Sequence, residues 1–111
     1  MSSPQPLGEF EQIVLLAILR LDDDAYGVTI RGEIKLCTDR EAAPGALYTT
    51  LDRLEDKGLL TSRMGDPTRQ RGGRAKRFFK VSAAGVEAVA RAQRSYQRLL
   101  SGLQLPGVAR A

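Results

Sequence analysis

The sequence predicts a mainly α-helical domain carrying one small β-hairpin, and three observations support that expectation. Apolar residues recur at helical spacing in four separate stretches. Two short runs with strand propensity flank a segment rich in glycine and arginine. The 111 residues, 42% hydrophobic and 27% charged, suffice for one core and not for two.

The first helix is expected from Gly8 to Leu21, where Phe10, Ile13, Val14, Ala17, Ile18 and Leu21 keep a helical period. Leu15, Leu16 and Leu19 fill its other faces, so the helix is apolar nearly all round and buried on more than one side. In so small a domain, that points to a second surface covered by another subunit. Asp22-Asp-Asp24 ends the helix, and Asp24 is the expected N-cap of a second one running from Ala25 to about Thr38. Its stripe of Gly27, Ile30, Ile34 and Cys37 makes Cys37 a packed core thiol. The three aspartates could coordinate a hard cation, but a solvated turn and cap is the simpler reading.

A third helix starts at Pro44, whose missing N–H is harmless in a first turn, and closes at Gly58 in a left-handed cap. Leu47, Leu51 and Leu54 form its seam. Leu59–Met64 and Ala75–Val81 are the expected hairpin arms, with Phe78, Phe79 and Val81 supplying strand propensity. The segment between them, Gly65 to Arg74, is too long for a tight turn and is expected to protrude as a mobile loop. Ser82 then caps a final helix, with Val81 and Val86 spaced as a hydrophobic staple. Val86, Val89, Gln93, Tyr96, Leu100 and Leu103 follow a heptad-like spacing suited to a partner helix.

Helix, strand and basic loop in this order are the parts of a winged helix-turn-helix, here followed by a C-terminal dimerisation helix. The expected division is a flexible lead at 1–7, the winged domain at 8–82, the dimerisation helix at 83–104 and a flexible tail at 105–111.

The formal charge of +4 is unevenly spread. Between Arg63 and Lys80 seven basic residues meet only Asp66, a local balance of +6, so the rest of the chain carries −2. That local field is the footprint of a nucleic-acid contact. With histidine absent and Cys37 the lone cysteine, a zinc site, a Cys–His pair and a histidine base are excluded. No phosphate-binding glycine loop of the P-loop type is present, so no enzyme, metal or cofactor is expected. No apolar run could span a bilayer, the N-terminus lacks the regions of a secretion signal, and a single thiol suits the cytoplasm.

With the leucine seam of the third helix turned inward, its other sides carry the candidate readers of DNA. Gly45 keeps the helix start slim, and Tyr48, Thr49 and Arg53 offer donors to phosphates or base edges in a major groove. In the loop and return strand Arg69, Arg71, Arg74, Lys76 and Arg77 can neutralise phosphates. An idle surface excursion is the alternative for that loop, and one Arg-Gly-Gly copy is weak support for RNA. Phe10 and Val14, with Val86, Val89, Gln93, Tyr96, Leu100 and Leu103, are the candidate dimerisation residues. Gln93 and Tyr96 could instead line a ligand cavity.

Leu7 to Leu19, Ala25-Tyr-Gly27, Pro44-Gly-Ala-Leu-Tyr48, Leu51 to Leu59 and Arg77-Phe-Phe-Lys-Val-Ser-Ala-Ala-Gly85 together resemble the PadR-like transcriptional regulators, over about residues 7–100. The resemblance implies a dimeric bacterial repressor. The third helix (44–57) would enter the major groove of a double-stranded operator, and the wing (65–76) would meet the flanking backbone or minor groove. It matches Tyr48 to the family's recognition-helix tyrosine, and Lys76 and Arg77 to its basic return strand. A short chain with one C-terminal helix resembles the smaller subgroup, whose first and last helices form the dimer. A small-molecule effector is compatible with this picture, and its identity is open. Two departures stand out. Ala43 occupies a position where many members carry a Ser or Thr cap, at a cost of about 1 kcal/mol. Tryptophan is absent, so stacking of planar drugs does not carry over. The main rival is a winged-helix protein adaptor without its own operator.

Overall fold

Three of the four α-helices of the described residues begin where a nearby side chain pairs with a free N–H group, and the apolar stripes then decide how the helices stack. The computed structural model describes residues 6–65 and 75–107. Helix α1 (Glu9–Leu21) opens with the Gly8 N–H donating to Glu11 Oε1 at 2.9 Å, half of a capping box. Helix α2 (Gly27–Thr38) opens with the Tyr26 N–H donating to Thr29 Oγ1 at 3.0 Å. Helix α3 (Pro44–Asp56) has its proline in the first turn and no side-chain cap at Ala43. Arg31 Nε donates to the Ala42 carbonyl at 2.8 Å and holds the chain's entry into α3. Gly58, at φ 77°, turns the chain out of α3 in a conformation that a Cβ would strain.

Strands β1 (Leu60–Met64) and β2 (Arg77–Val81) pair antiparallel, Leu60 opposite Val81 and Met64 opposite Arg77. The Gly65 N–H adds a bond to the Lys76 carbonyl at 2.7 Å, and the Phe79 N–H donates to the Ala25 carbonyl at 2.9 Å. The free edge of β2 is therefore tied to the start of α2. Leu15, Ile18, Ile30, Ile34, Leu47, Leu51, Leu54 and Leu60 are fully buried where the three helices and the hairpin meet.

Helix α4 (Ala83–Leu100) starts on Ser82, whose Oγ accepts from the Gly85 N–H and donates to the Gly58 carbonyl. Its first turns pack on the hairpin. From Gln93 to Gly107 every residue is exposed. The chain measures 55 × 41 × 22 Å with a radius of gyration of 16.3 Å. A compact chain of this length would have about 13 Å. The end of α4, exposed from Gln93 on, projects from the core.

Several expectations are corrected. Asp24 does not cap α2: Asp22–Asp24 form one turn of 3₁₀ helix, and Thr29 takes over by accepting from Tyr26 and donating to the Asp24 carbonyl. Cys37 is exposed, because the core-facing stripe of α2 ends at Ile34 and the last turn lies clear of the core. Val81 Cγ1 fills the place of a Gly85 side chain, and Val86 stays half exposed instead of closing a staple. Val14 (0% exposed) and Val89 (5%) belong to the chain's own core, which leaves little of either for a second subunit. Leu103 lies in the turn after α4. The expected mobile loop falls at 66–74, outside the described residues.

Candidate nucleic-acid interface

Because Leu47, Thr50, Leu51 and Leu54 are buried, helical geometry forces Gly45, Tyr48, Thr49, Asp52 and Arg53 to the outside, and all five are exposed. No atom lies within 4 Å of where a Gly45 Cβ would stand, so the helix start is open to an approaching backbone. Tyr48 is 44% exposed and leans against the start of α2. Its hydroxyl occupies space that a Gly27 side chain would need, 2.3 Å from the ideal Cβ position. Tyr48 is thus seated on a glycine of the neighbouring helix.

The wing root is built from aromatic rings and cations. The Tyr26 and Phe78 rings meet edge-on at 5.4 Å. Lys76 Nζ stands 4.4 Å from the Tyr26 ring centroid, and the Arg63 guanidinium 4.7 Å from that of Phe78. Both cations are exposed, Arg63 on β1 and Lys76 just before β2. Arg63 was counted in the basic segment but not singled out as a site residue, although its place opposite Phe78 puts it at the wing root. Gly65 is also shaped by this stack, since a side chain there would run into the Phe78 ring.

Arg77 does something other than expected. Its Nη1 pairs with Asp52 at 3.2 Å, its Nη2 pairs with Glu55, and its guanidinium lies 4.9 Å from the Phe79 ring centroid. Ser62 Oγ donates to the same Glu55 carboxylate at 2.8 Å. Desolvation lowers the guanidinium's pKa, but its bonds to the two carboxylates more than offset this and raise it. Arg77 therefore braces the return strand against α3 and neutralises two of that helix's acids. It is not a free phosphate ligand. Lys76, one residue before β2, is exposed and holds its ammonium over the Tyr26 ring.

Among the dimerisation candidates, Phe10 is half-buried beneath the Arg40 guanidinium, which sits 5.7 Å from its ring and pairs with Glu9. Gln93, Tyr96 and Leu100 are exposed on α4. Tyr96 also lines an open cleft of about 350 Å³ between α4 and Pro6, Leu7 and Gln12, which Gln93 does not reach. Arg69, Arg71 and Arg74 lie outside the described residues. Among the described residues no cluster of metal-ligating side chains forms, and no helix is long and apolar enough to cross a membrane.

Residues 15–91 match the Transcriptional regulator PadR-like family. The chain belongs to that family. A curated relative, the transcriptional regulator Rv3488 of Mycobacterium tuberculosis, is 35% identical over 78 residues, covering 70% of this chain and 68% of the relative. Among solved structures, a transcriptional regulator from Clostridium thermocellum superposes with a TM-score of 0.68 at 20% identity, covering 83% of this chain and 84% of its own. A PadR-like transcription factor from Bacteroides fragilis gives 0.67 at 21% identity, covering 84% of each chain. At that identity the two structures speak for the winged-helix fold alone. The family assignment makes this PadR-like protein a DNA-binding transcriptional regulator and not an enzyme. Its exposed α3 face and cationic wing root are the described surfaces suited to that work.

Proposed function

We propose that this PadR-like protein acts as a homodimeric repressor in the cytoplasm, occupying a near-palindromic operator with α3 in the major groove. The wing lies along the flanking backbone or minor groove. The observation that carries this reading is the continuity of the reading surface. Tyr48 of α3 touches Gly27 at the start of α2, the preceding Tyr26 lies beneath Lys76 and meets Phe78 edge-on, and Phe78 carries Arg63. Tyr48, Thr49 and Arg53 are the base and phosphate donors of α3. Lys76 and Arg63, with Arg69, Arg71 and Arg74 of the wing, supply sequence-independent attraction.

Dimerisation follows from unpartnered apolar surface. Tyr96, Leu99 and Leu100 on α4 and Leu16 and Leu19 on α1 are large and exposed, and Leu99 is 76% accessible. A projecting helix with such a face gains stability by packing against a second copy. Two copies also present two recognition helices, the arrangement a palindrome demands.

The test is fluorescence anisotropy with labelled duplex from the region upstream of the protein's own coding sequence, against a shuffled duplex at low and moderate salt. Selective binding with two protomers per site is expected. Weak, equal and salt-erased binding to both would overturn operator recognition. Retention of a protein partner at high salt without DNA retardation would favour the adaptor reading.

A further inference from the structure

Three consecutive residues at the start of α2 touch both reading elements. The Ala25 carbonyl accepts the Phe79 N–H of β2 at 2.9 Å. Tyr26 holds the wing root, its ring lying between the edge contact with Phe78 and the Lys76 ammonium, with Lys76 Nζ 3.4 Å from its hydroxyl. Gly27 seats Tyr48 by having no side chain. Tyr26 is itself fixed by its N–H bond to Thr29, so neither contact can shift without moving the first turn of α2.

We infer that Tyr26 and Gly27 are positioning residues for DNA reading: Tyr26 sets where the wing root carries Lys76, and Gly27 sets where Tyr48 stands on α3. The dipeptide thereby fixes the separation between the specific and the nonspecific contacts. This rests on the proposed role of α3 and the wing.

The geometry separates this role from a merely structural one. The nearest atoms to a methyl group at Gly27 would be those at the far end of the Tyr48 side chain. A half-exposed ring yields to such a clash by swinging away. Alanine is also the better helix former. Gly27→Ala should therefore fold with unchanged or slightly raised thermal stability while Tyr48 is displaced. The stability and the selectivity of one variant should part company.

The experiment uses the full chain and a duplex selected by it from a random pool, with a scrambled duplex as control. Anisotropy is measured across a salt series, and thermal unfolding is followed in parallel. Tyr48→Ala should lower selectivity about tenfold, the scale of one good base contact. Gly27→Ala should lower it comparably, and the double variant no further than Tyr48→Ala alone, because both act on one contact. Tyr26→Leu should weaken binding to both duplexes about two- to fivefold, the worth of an exposed cation–π contact. Tyr26→Phe, which keeps the ring, should restore most of that loss. Unchanged selectivity in Gly27→Ala, or additive losses in the double variant, would overturn the role of Gly27. A Tyr26→Phe variant as weak as Tyr26→Leu would overturn that of Tyr26. Should Tyr48→Ala itself keep full selectivity, the reading role of α3 fails first, and the inference about Gly27 falls with it.

Discussion

Replacing Arg77 by alanine separates two ways in which a basic residue can serve DNA binding. Two half-exposed ion pairs, to Asp52 and Glu55, disappear together with the guanidinium beside Phe79. Exposed or half-exposed pairs contribute about 0.2–1 kcal/mol each. A cation–π contact at such a site adds about 0.5–1 kcal/mol. The expected loss is therefore roughly 1–3 kcal/mol, and Tm falls by about 4–6 °C for each of those kcal/mol in a domain of this size. Protomer concentration must be held fixed, because dimerisation contributes to Tm.

The binding consequence is distinct. Without Arg77, Asp52 and Glu55 stand uncompensated on the reading helix, and affinity for any duplex should drop about tenfold at 0.1 M salt, where charges within about 10 Å of the phosphates still act on them. If Arg77 acts by neutralising these acids, adding Asp52→Asn and Glu55→Gln to Arg77→Ala should recover most of the affinity. A salt series by anisotropy decides the matter. A triple variant as weak as Arg77→Ala, with the salt slope reduced by about 0.9, would show that Arg77 touches a phosphate directly and would refute the bracing role.

Other parts of the fold give further tests. Desolvation pushes the Glu11 carboxyl upward, but the Gly8 amide and the Lys57 ammonium at 3.0 Å, aided by Arg53, outweigh it and hold it below the ordinary carboxylate range. The unfolded chain therefore takes up the proton first. Glu11's contribution is complete above the ordinary range and lost as pH falls through the lowered folded value. The Tm advantage of the wild type over Glu11→Gln should shrink on acidification from neutral pH to about pH 3; a constant difference would contradict the pairing. Gly85→Ala would place its methyl carbon 2.2 Å from the Leu59 carbonyl oxygen, a backbone atom, so α4 must move. Chemical denaturation should show a loss of about 1–3 kcal/mol, and a neutral outcome would refute the close helix–hairpin contact. Tyr96→Glu and Leu100→Glu should each yield folded monomers by sedimentation, and dimers that survive both changes would place the interface elsewhere.

What was legible in the sequence was whatever repeats along the chain. The leucine seam of α3 exposes Tyr48, Thr49 and Arg53 by helical geometry alone, and Pro44, Gly58 and Ser82 mark ends through their own backbone chemistry. What was hidden depends on contacts between elements far apart in sequence. Cys37 continues the apolar spacing of α2 faithfully, yet whether a core exists beneath that last turn is a question of where its neighbours lie. Val14 and Val89 fit a dimer seam by period and were claimed by the chain's own core, since periodicity reports a buried face without naming what buries it. Arg77 shows the same limit for charge. Asp52 and Glu55 lie three apart on α3 and could have flagged a shared partner, but nothing local says that the partner sits on a strand more than twenty residues later. Adjacent residues of the expected return arm, 75–81, face opposite ways, so the strand period already implied that only one of Lys76 and Arg77 reaches outward. The glycines carry the converse lesson. Gly27 looks like a packing residue until Tyr48 is placed against it, and its importance lies in a side chain contributed by another helix. A residue that works by making room leaves no chemical signature of its own.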